Sequence, residues 1–180
     1  MQFDPPSLEQ LLAGNAHFVA SEWNPEDSER EALPRLKLAV VACMDSRYNV
    51  EKVLGLNHGD AKIIRNAGNC IDDGTLRSLL VAVHLLGVEE VAIMGHTKCG
   101  MTQIGRGDFR IAHNIAQSTG VPLSEVMRPD FQRWLGGFTD PEEHVLRSVA
   151  LLCGHPYFPK TLRVFGLLYD NETGLIRALA

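Results

Sequence analysis

Cys43, His96 and Cys99 are two potential thiolates and one imidazole, the donors that a borderline divalent metal such as zinc prefers. In His96-Thr97-Lys98-Cys99 the two ligands are separated by two residues, a spacing that lets a chain leaving a strand wrap around one ion. Cys43 is far away in sequence, so only the fold can bring it in. Three protein ligands leave a tetrahedral zinc with one open position, the arrangement of a catalytic site. Two thiolates and a neutral imidazole also cancel the charge of Zn²⁺. One zinc per chain is expected.

Asp45 and Arg47 follow Cys43 closely. In an extended segment, residues i and i+2 point to the same side. Asp45 is therefore expected to reach the metal or its bound water while Arg47 grips its carboxylate with a bidentate ion pair. Such an acceptor suits a hydrating or hydrolytic site, because zinc lowers the pKa of bound water from about 15.7 to about 7 in good cases. Two thiolates donate more charge than imidazoles, so a somewhat higher value and better activity on the alkaline side are expected. Cys-x-Asp-x-Arg and His-x-x-Cys are each weak motifs alone. Taken singly, Cys43, Cys99 and His96 also fit a reading as buried core residues.

Both motifs sit at the ends of predicted strands, which strengthens them. Residues 37–43 are a near-continuous apolar run, as in a parallel strand covered on both faces. A short helix is expected at 49–54 and a second strand at 61–65. Asp72 or Asp73 should cap a helix over 74–86, ended by Gly87 and followed by a third strand at 90–95. Such strand–helix–strand units build an open parallel sheet, whose ligands sit beyond the carboxyl ends of the strands. The small residues Ala67 and Gly68, after the second strand, let backbone approach a small substrate; Gly100, beside Cys99, is expected at the same pocket. Arg65 is divided between an ion-pair role and a direct one.

Outside this core, Ser7 and Gln10 form a capping box for a helix to about Glu22, with Leu8, Leu11, Leu12 and Phe18 at helical spacing. Residues 23–34 read as a loop. Residues 109–117 read as helical, 121–135 as a further helix, and Gly136-Gly137 as a flexible joint. Asp140-Pro141 opens a helix to Gly154. A strand at 161–169, a tight turn at 170–174 and a short end segment at 175–179 make a hairpin. The expected class is α/β: an open, mainly parallel sheet of four to five strands flanked by helices, with an amino-terminal helix.

Cys43-Met-Asp45-Ser-Arg47 and His96-Thr-Lys-Cys99-Gly100-Met101, with Ile64-Arg65-Asn66-Ala67-Gly68 and Asp72-Asp73-Gly-Thr-Leu-Arg77-Ser78-Leu79 between them, resemble the signatures of the β-class carbonic anhydrases from about Lys37 to Gln103. The resemblance implies zinc on Cys43, His96 and Cys99, an Asp45–Arg47 dyad, and reversible hydration of carbon dioxide to bicarbonate by zinc-bound hydroxide. It also implies a closed state in which Asp45 becomes a fourth zinc ligand, and a homodimer or multiple of dimers with the amino-terminal helix packed on a partner. On this reading the chain is one domain, 1–180, with an arm (1–34), a zinc-site core (37–103) and a variable helical segment (106–140). Relatives that hydrolyse carbon disulfide or carbonyl sulfide make that the nearest rival. A non-catalytic zinc-holding regulatory protein is a rival of another class, but holding zinc requires neither Asp45 nor Arg47.

Composition sets outer bounds. The chain has 180 residues, 45% of them hydrophobic and 22% charged, an ordinary globular balance. A net charge of -5 offers no basic field for nucleic acid. No apolar run approaches the roughly 20 residues of a membrane helix. The opening Met-Gln-Phe-Asp-Pro-Pro lacks the basic and apolar regions of a signal peptide. Four cysteines without such a signal suggest a reducing, cytoplasmic compartment. Cys70 is expected near the pocket floor and Cys153 at a helix end or in the core. His84 is expected to be structural or exposed. His17, His58, His113, His144 and His155 show no ligand spacing and are expected to be surface or capping residues, any one of them able to pass protons to buffer.

Overall fold

The computed structural model describes residues 4–179. The chain divides into two compact units, Met1–Ala32 and Leu33–Ala180. The first is helical. In α1, Leu8–Ser21, the capping box forms as read: Ser7 Oγ accepts from the Gln10 N–H at 3.2 Å, and Gln10 Oε1 accepts from the Ser7 N–H at 2.7 Å. No residue of α1 is buried, and Leu8, Leu11, Leu12 and Phe18 are exposed. A short 3-10 turn, Pro25–Glu29, lies within the stretch read as loop.

The second unit is built on a five-stranded sheet. β1 (Leu38–Cys43), β2 (Ala61–Asn66), β3 (Glu90–His96) and β4 (Arg163–Tyr169) are parallel, and β5 (Ile176–Ala178) is antiparallel to β4. The order β2-β1-β3-β4-β5 confirms the expected class. Residues alternate along β1 and β3. Ala39, Val41, Val91 and Ile93 pack under α3 (Asp73–Leu85) and α8 (Pro141–Gly154); Val40, Ala42, Ala92 and Met94 face the other way, towards Val50 of α2 (Val50–Leu54). Ala39 to Ala42 are wholly buried, which explains a strand with no polar alternation. Asp72 is the cap of α3, its side chain accepting from the Thr75 N–H at 2.7 Å.

Two expectations need correction. The helix read over 121–135 is two short ones, α6 (Leu123–Val126) and α7 (Pro129–Leu135); Arg128, held extended (ψ 141°) before Pro129, separates them. Gly136-Gly137 is not a flexible joint. A Cβ on Gly137 would meet the Gly105 backbone nitrogen at 2.6 Å, and one on Gly105 would meet the Phe138 backbone at 2.2 Å. The glycines allow two backbones to touch, locking α7 and its exit against α4 (Met101–Gly105). The remaining helix, α5 (Arg110–Thr119), matches the expected one. Among the described residues no helix is long and apolar enough to cross a membrane.

Candidate metal centre

The strand order turns back between β1 and β3: the chain goes from β1 outward to β2, then crosses to the other side of β1. This leaves a crevice at their carboxyl ends, where open α/β sheets place ligands. Cys43 is the last residue of β1 and His96 the last of β3. Cys99 follows on the loop that leads into α4. All three are buried, and their ligand atoms lie within 4.8 Å of one another.

The donor set fits a tetrahedral zinc. Arms of about 2.3 Å at a tetrahedral angle separate two sulfurs by about 3.8 Å; Cys43 Sγ and Cys99 Sγ are 3.9 Å apart. His96 is 1% exposed, and its Nε2 has no hydrogen-bond partner among the described residues. A buried imidazole nitrogen left unpaired is costly, and a metal ion would satisfy it. The two thiols lie close enough to share a proton, and the Gly68 N–H, donating to Cys43 Sγ at 3.4 Å, favours the thiolate of Cys43.

Asp45 and Arg47 are joined, though not by the extended segment expected. Asp45 Oδ1 accepts from the Arg47 backbone N–H at 2.9 Å, a side-chain turn that folds the two together. Arg47 Nε reaches Asp45 Oδ1 at 2.9 Å and Nη2 reaches Oδ2 at 2.5 Å. The Arg47 guanidinium holds the Asp45 carboxyl down to about 2. Asp45 Oδ2 is 3.7 Å from His96 Nε2, at the edge of the cluster. Arg47 Nη2 also donates to the Lys98 carbonyl at 3.0 Å, tying the two ligand loops together.

Arg65 binds backbone. Its Nε donates to the Cys43 carbonyl at 2.9 Å and its Nη2 to the Asp45 carbonyl at 2.5 Å, with the guanidinium over the Tyr48 ring. It therefore clamps the segment that carries both a candidate ligand and the candidate acceptor. Gly68 has φ +79°, and a Cβ there would sit 2.9 Å from Met101 Cγ and 2.9 Å from Phe138 Cε1. Glycine is thus required both by its backbone and by the apolar wall of Met101 and Phe138 beside the cysteines. Ala67 and Gly100 are exposed. Gly100 opens a groove of about 470 Å³ that runs along α5 past Gln103, Ile111 and Asn114.

Three residues near the site carried no signal in spacing. Phe138 is buried against the cysteines. His144, expected at the surface or as a cap, is half-buried. Its ring stacks on Phe138 with centroids 4.1 Å apart, its Nε2 donates to the Gly68 carbonyl at 3.0 Å, and burial lowers its pKa. Asn171, in the turn after β4, contacts His96. A helix start with proline at its first position and a turn asparagine carry no mark of which loop of the candidate site they meet. Cys70 is partly buried beside Gly68 and burial raises its thiol to about 11. Cys153 is exposed at the end of α8. His84 and His113 are exposed and bond backbone carbonyls.

Comparison with known proteins agrees with this geometry. A family model described as carbonic anhydrase matches residues 38–176. Beta-carbonic anhydrase 1 of Mycobacterium tuberculosis is 35% identical over 166 residues, covering 92% of this chain and 93% of that protein. A carbon disulfide hydrolase of an Acidianus strain is 32% identical, covering 78% of this chain and 76% of its own. The crystal structure of carbonic anhydrase from Streptococcus mutans superposes with a TM-score of 0.82 at 29% identity, covering 99% of this chain and all of that one. Matched along nearly its whole length in sequence and in fold, this chain belongs to the β-carbonic anhydrase family and is an enzyme of that kind, a carbonic anhydrase lyase.

Proposed function

We propose that the protein catalyses reversible hydration of carbon dioxide to bicarbonate at one zinc per chain, held by Cys43, His96 and Cys99. The observation that carries this reading is the convergence of the three ligand atoms, with an arginine-held carboxylate 3.7 Å from His96 Nε2. Zinc bound there supplies a Lewis acid that makes water nucleophilic near neutral pH. The chain's own residues do the rest. The Arg47 guanidinium favours the ionised Asp45 carboxylate, an acceptor for a hydrogen bond. Arg47 and Arg65 hold that carboxylate and its backbone in place, as preorganised electrostatics requires. Phe138 and Met101 wall the site with apolar surface, suited to a small linear substrate, and Ala67, Gly68 and Gly100 offer backbone rather than side chains to it. The alternative state, with Asp45 turned to the metal as a fourth ligand, requires breaking the ion pair seen here.

The 32%-identical carbon disulfide hydrolase makes carbon disulfide or carbonyl sulfide the second reading. Stopped-flow hydration of carbon dioxide across pH, with carbon disulfide as competitor, decides between them. Turnover of carbon dioxide with weak competition supports the first; turnover of carbon disulfide alone replaces it; turnover of neither removes both. We also propose that the chain acts as a homodimer or multiple of dimers, with the amino-terminal residues 1–34 as an arm; the exposed apolar side chains of α1 support this. Residues 37–103 and 106–140 are then the zinc-site core and a variable helical segment of the same domain. Four free cysteines suit a reducing, cytoplasmic setting.

A further inference from the structure

Asn171 lies outside both signature stretches, in the turn that joins β4 to β5. Its side-chain Nδ2 is 2.8 Å from the Thr97 carbonyl oxygen and 2.8 Å from His96 Nδ1. His96 Nδ1 is itself 2.9 Å from that same carbonyl. A backbone carbonyl can only accept, through two lone pairs. The amide therefore donates to it, and the proton of the imidazole is assigned to Nδ1, because an Nδ1 lone pair would face the lone pairs of the same oxygen at 2.9 Å. The opposite amide orientation would set Oδ1 against the carbonyl oxygen, acceptor against acceptor. With its proton on Nδ1, His96 presents the Nε2 lone pair to the sulfurs of Cys43 and Cys99, and Nε2 is the buried nitrogen left without a partner.

Asn171 is not free to swing away. Its backbone N–H donates to Thr97 Oγ1 at 3.0 Å, and Thr97 Oγ1 faces Asp170 Oδ1 at 3.4 Å. The Thr97 N–H donates to the Tyr169 carbonyl at 2.9 Å. The turn is thus stapled to the residue that follows the ligand. We infer that Asn171 is a positioning residue of the metal centre: its amide, sharing the Thr97 carbonyl with the imidazole, holds His96 in the tautomer and orientation that zinc needs. This rests on the zinc ligand set proposed above. It makes the β4–β5 turn, near the end of the chain, part of the site.

The test compares zinc retention in the full-length protein and its variants, by competition with a chromophoric chelator. Asn171→Leu keeps the volume and removes the donor; it should hold zinc roughly 10- to 100-fold more weakly, the usual loss for a partner of a ligating histidine. Thr97→Val removes the staple but leaves the carbonyl, the amide and the imidazole; it should lower the unfolding temperature of the metal-free protein and weaken zinc binding clearly less than Asn171→Leu does. Equal zinc losses in both variants, or none in Asn171→Leu, would overturn the inference. Should Asn171→Leu not fold, ¹⁵N NMR of the zinc-loaded parent decides. A slowly exchanging His96 Nδ1–H with a nuclear Overhauser contact to the Asn171 amide protons is expected, and its absence rejects the arrangement. A parent chain that takes up no zinc overturns the ligand set and the inference together; a parent that binds zinc while Asn171→Leu matches it overturns the inference alone.

Discussion

Gly95 immediately precedes His96 on β3, where α8 crosses the sheet. A Cβ there would lie 2.6 Å from Val145 Cγ2 and 3.5 Å from the Pro141 carbonyl. Carbon atoms settle at about 3.5–4.0 Å, so the space is roughly 1 Å too short, and Val145 is wholly buried with nowhere to move. Overpacking of this kind costs about 1–3 kcal/mol. Alanine also restricts the unfolded chain, which returns about 0.4–1 kcal/mol. The clash wins, and Gly95→Ala should destabilise by about 1–2 kcal/mol. At about 2–4 °C per kcal/mol for a chain of this size, the unfolding temperature should fall by about 2–8 °C. Val145→Ala alone removes two buried methyl carbons, worth about 1.6 kcal/mol of transfer free energy at ~0.8 each. The double variant should lie near Val145→Ala alone, because the small side chain makes room for the added methyl. The assay is thermal unfolding followed by circular dichroism on metal-free protein at equal chain concentration, since zinc and self-association both shift the midpoint. An unchanged midpoint in Gly95→Ala, or a double variant additive to within about 0.3–0.5 kcal/mol, would refute the reasoning.

Cys99→Ala should lose the metal, read as zinc per chain by elemental analysis; full retention would contradict the ligand set. Asp45→Asn should keep zinc but lose most hydration activity, because an amide in the grip of Arg47 is a poorer acceptor; unchanged turnover in stopped flow would remove Asp45 from the mechanism. His144 has its pKa lowered by burial, so below about pH 6.5 the unfolded chain binds a proton that the folded chain resists. Stability should therefore fall as pH drops through that range, and His144→Gln should flatten this part of the stability–pH curve measured by urea unfolding; an unaltered slope would count against the buried, neutral histidine.

The parallel core was legible because it is written in local pattern. The apolar run read at 37–43, the cap read as Asp72 or Asp73 and the Gly87 stop each act over a few residues; the strand spans Leu38–Cys43, Asp72 is the cap, and Gly87 follows the helix end with a positive φ. The capping box at Ser7 is of the same kind. The misreadings arose where neighbours distant in sequence decide conformation. Gly136-Gly137 reads as flexible until Gly105 is known to lie against Gly137. The two-residue offset of Asp45 and Arg47 suggested an extended pairing, but a turn around the aspartate side chain made the same ion pair by another route.

Residue type and spacing alone named a candidate metal-binding set and an acid–cation pair, because thiolate, imidazole and carboxylate chemistry belongs to the side chain whatever its surroundings. They could not say that Cys43 would lie beside Cys99, since that depends on β1 and β3 being neighbours at the point where the sheet reverses direction. They named Arg65 for an ion-pair or a direct role and not for the backbone it binds, and they did not single out His144 or Asn171. Each acts through a backbone carbonyl of another segment, and a carbonyl has no residue identity to read. Only the packed chain decides which one a side chain meets.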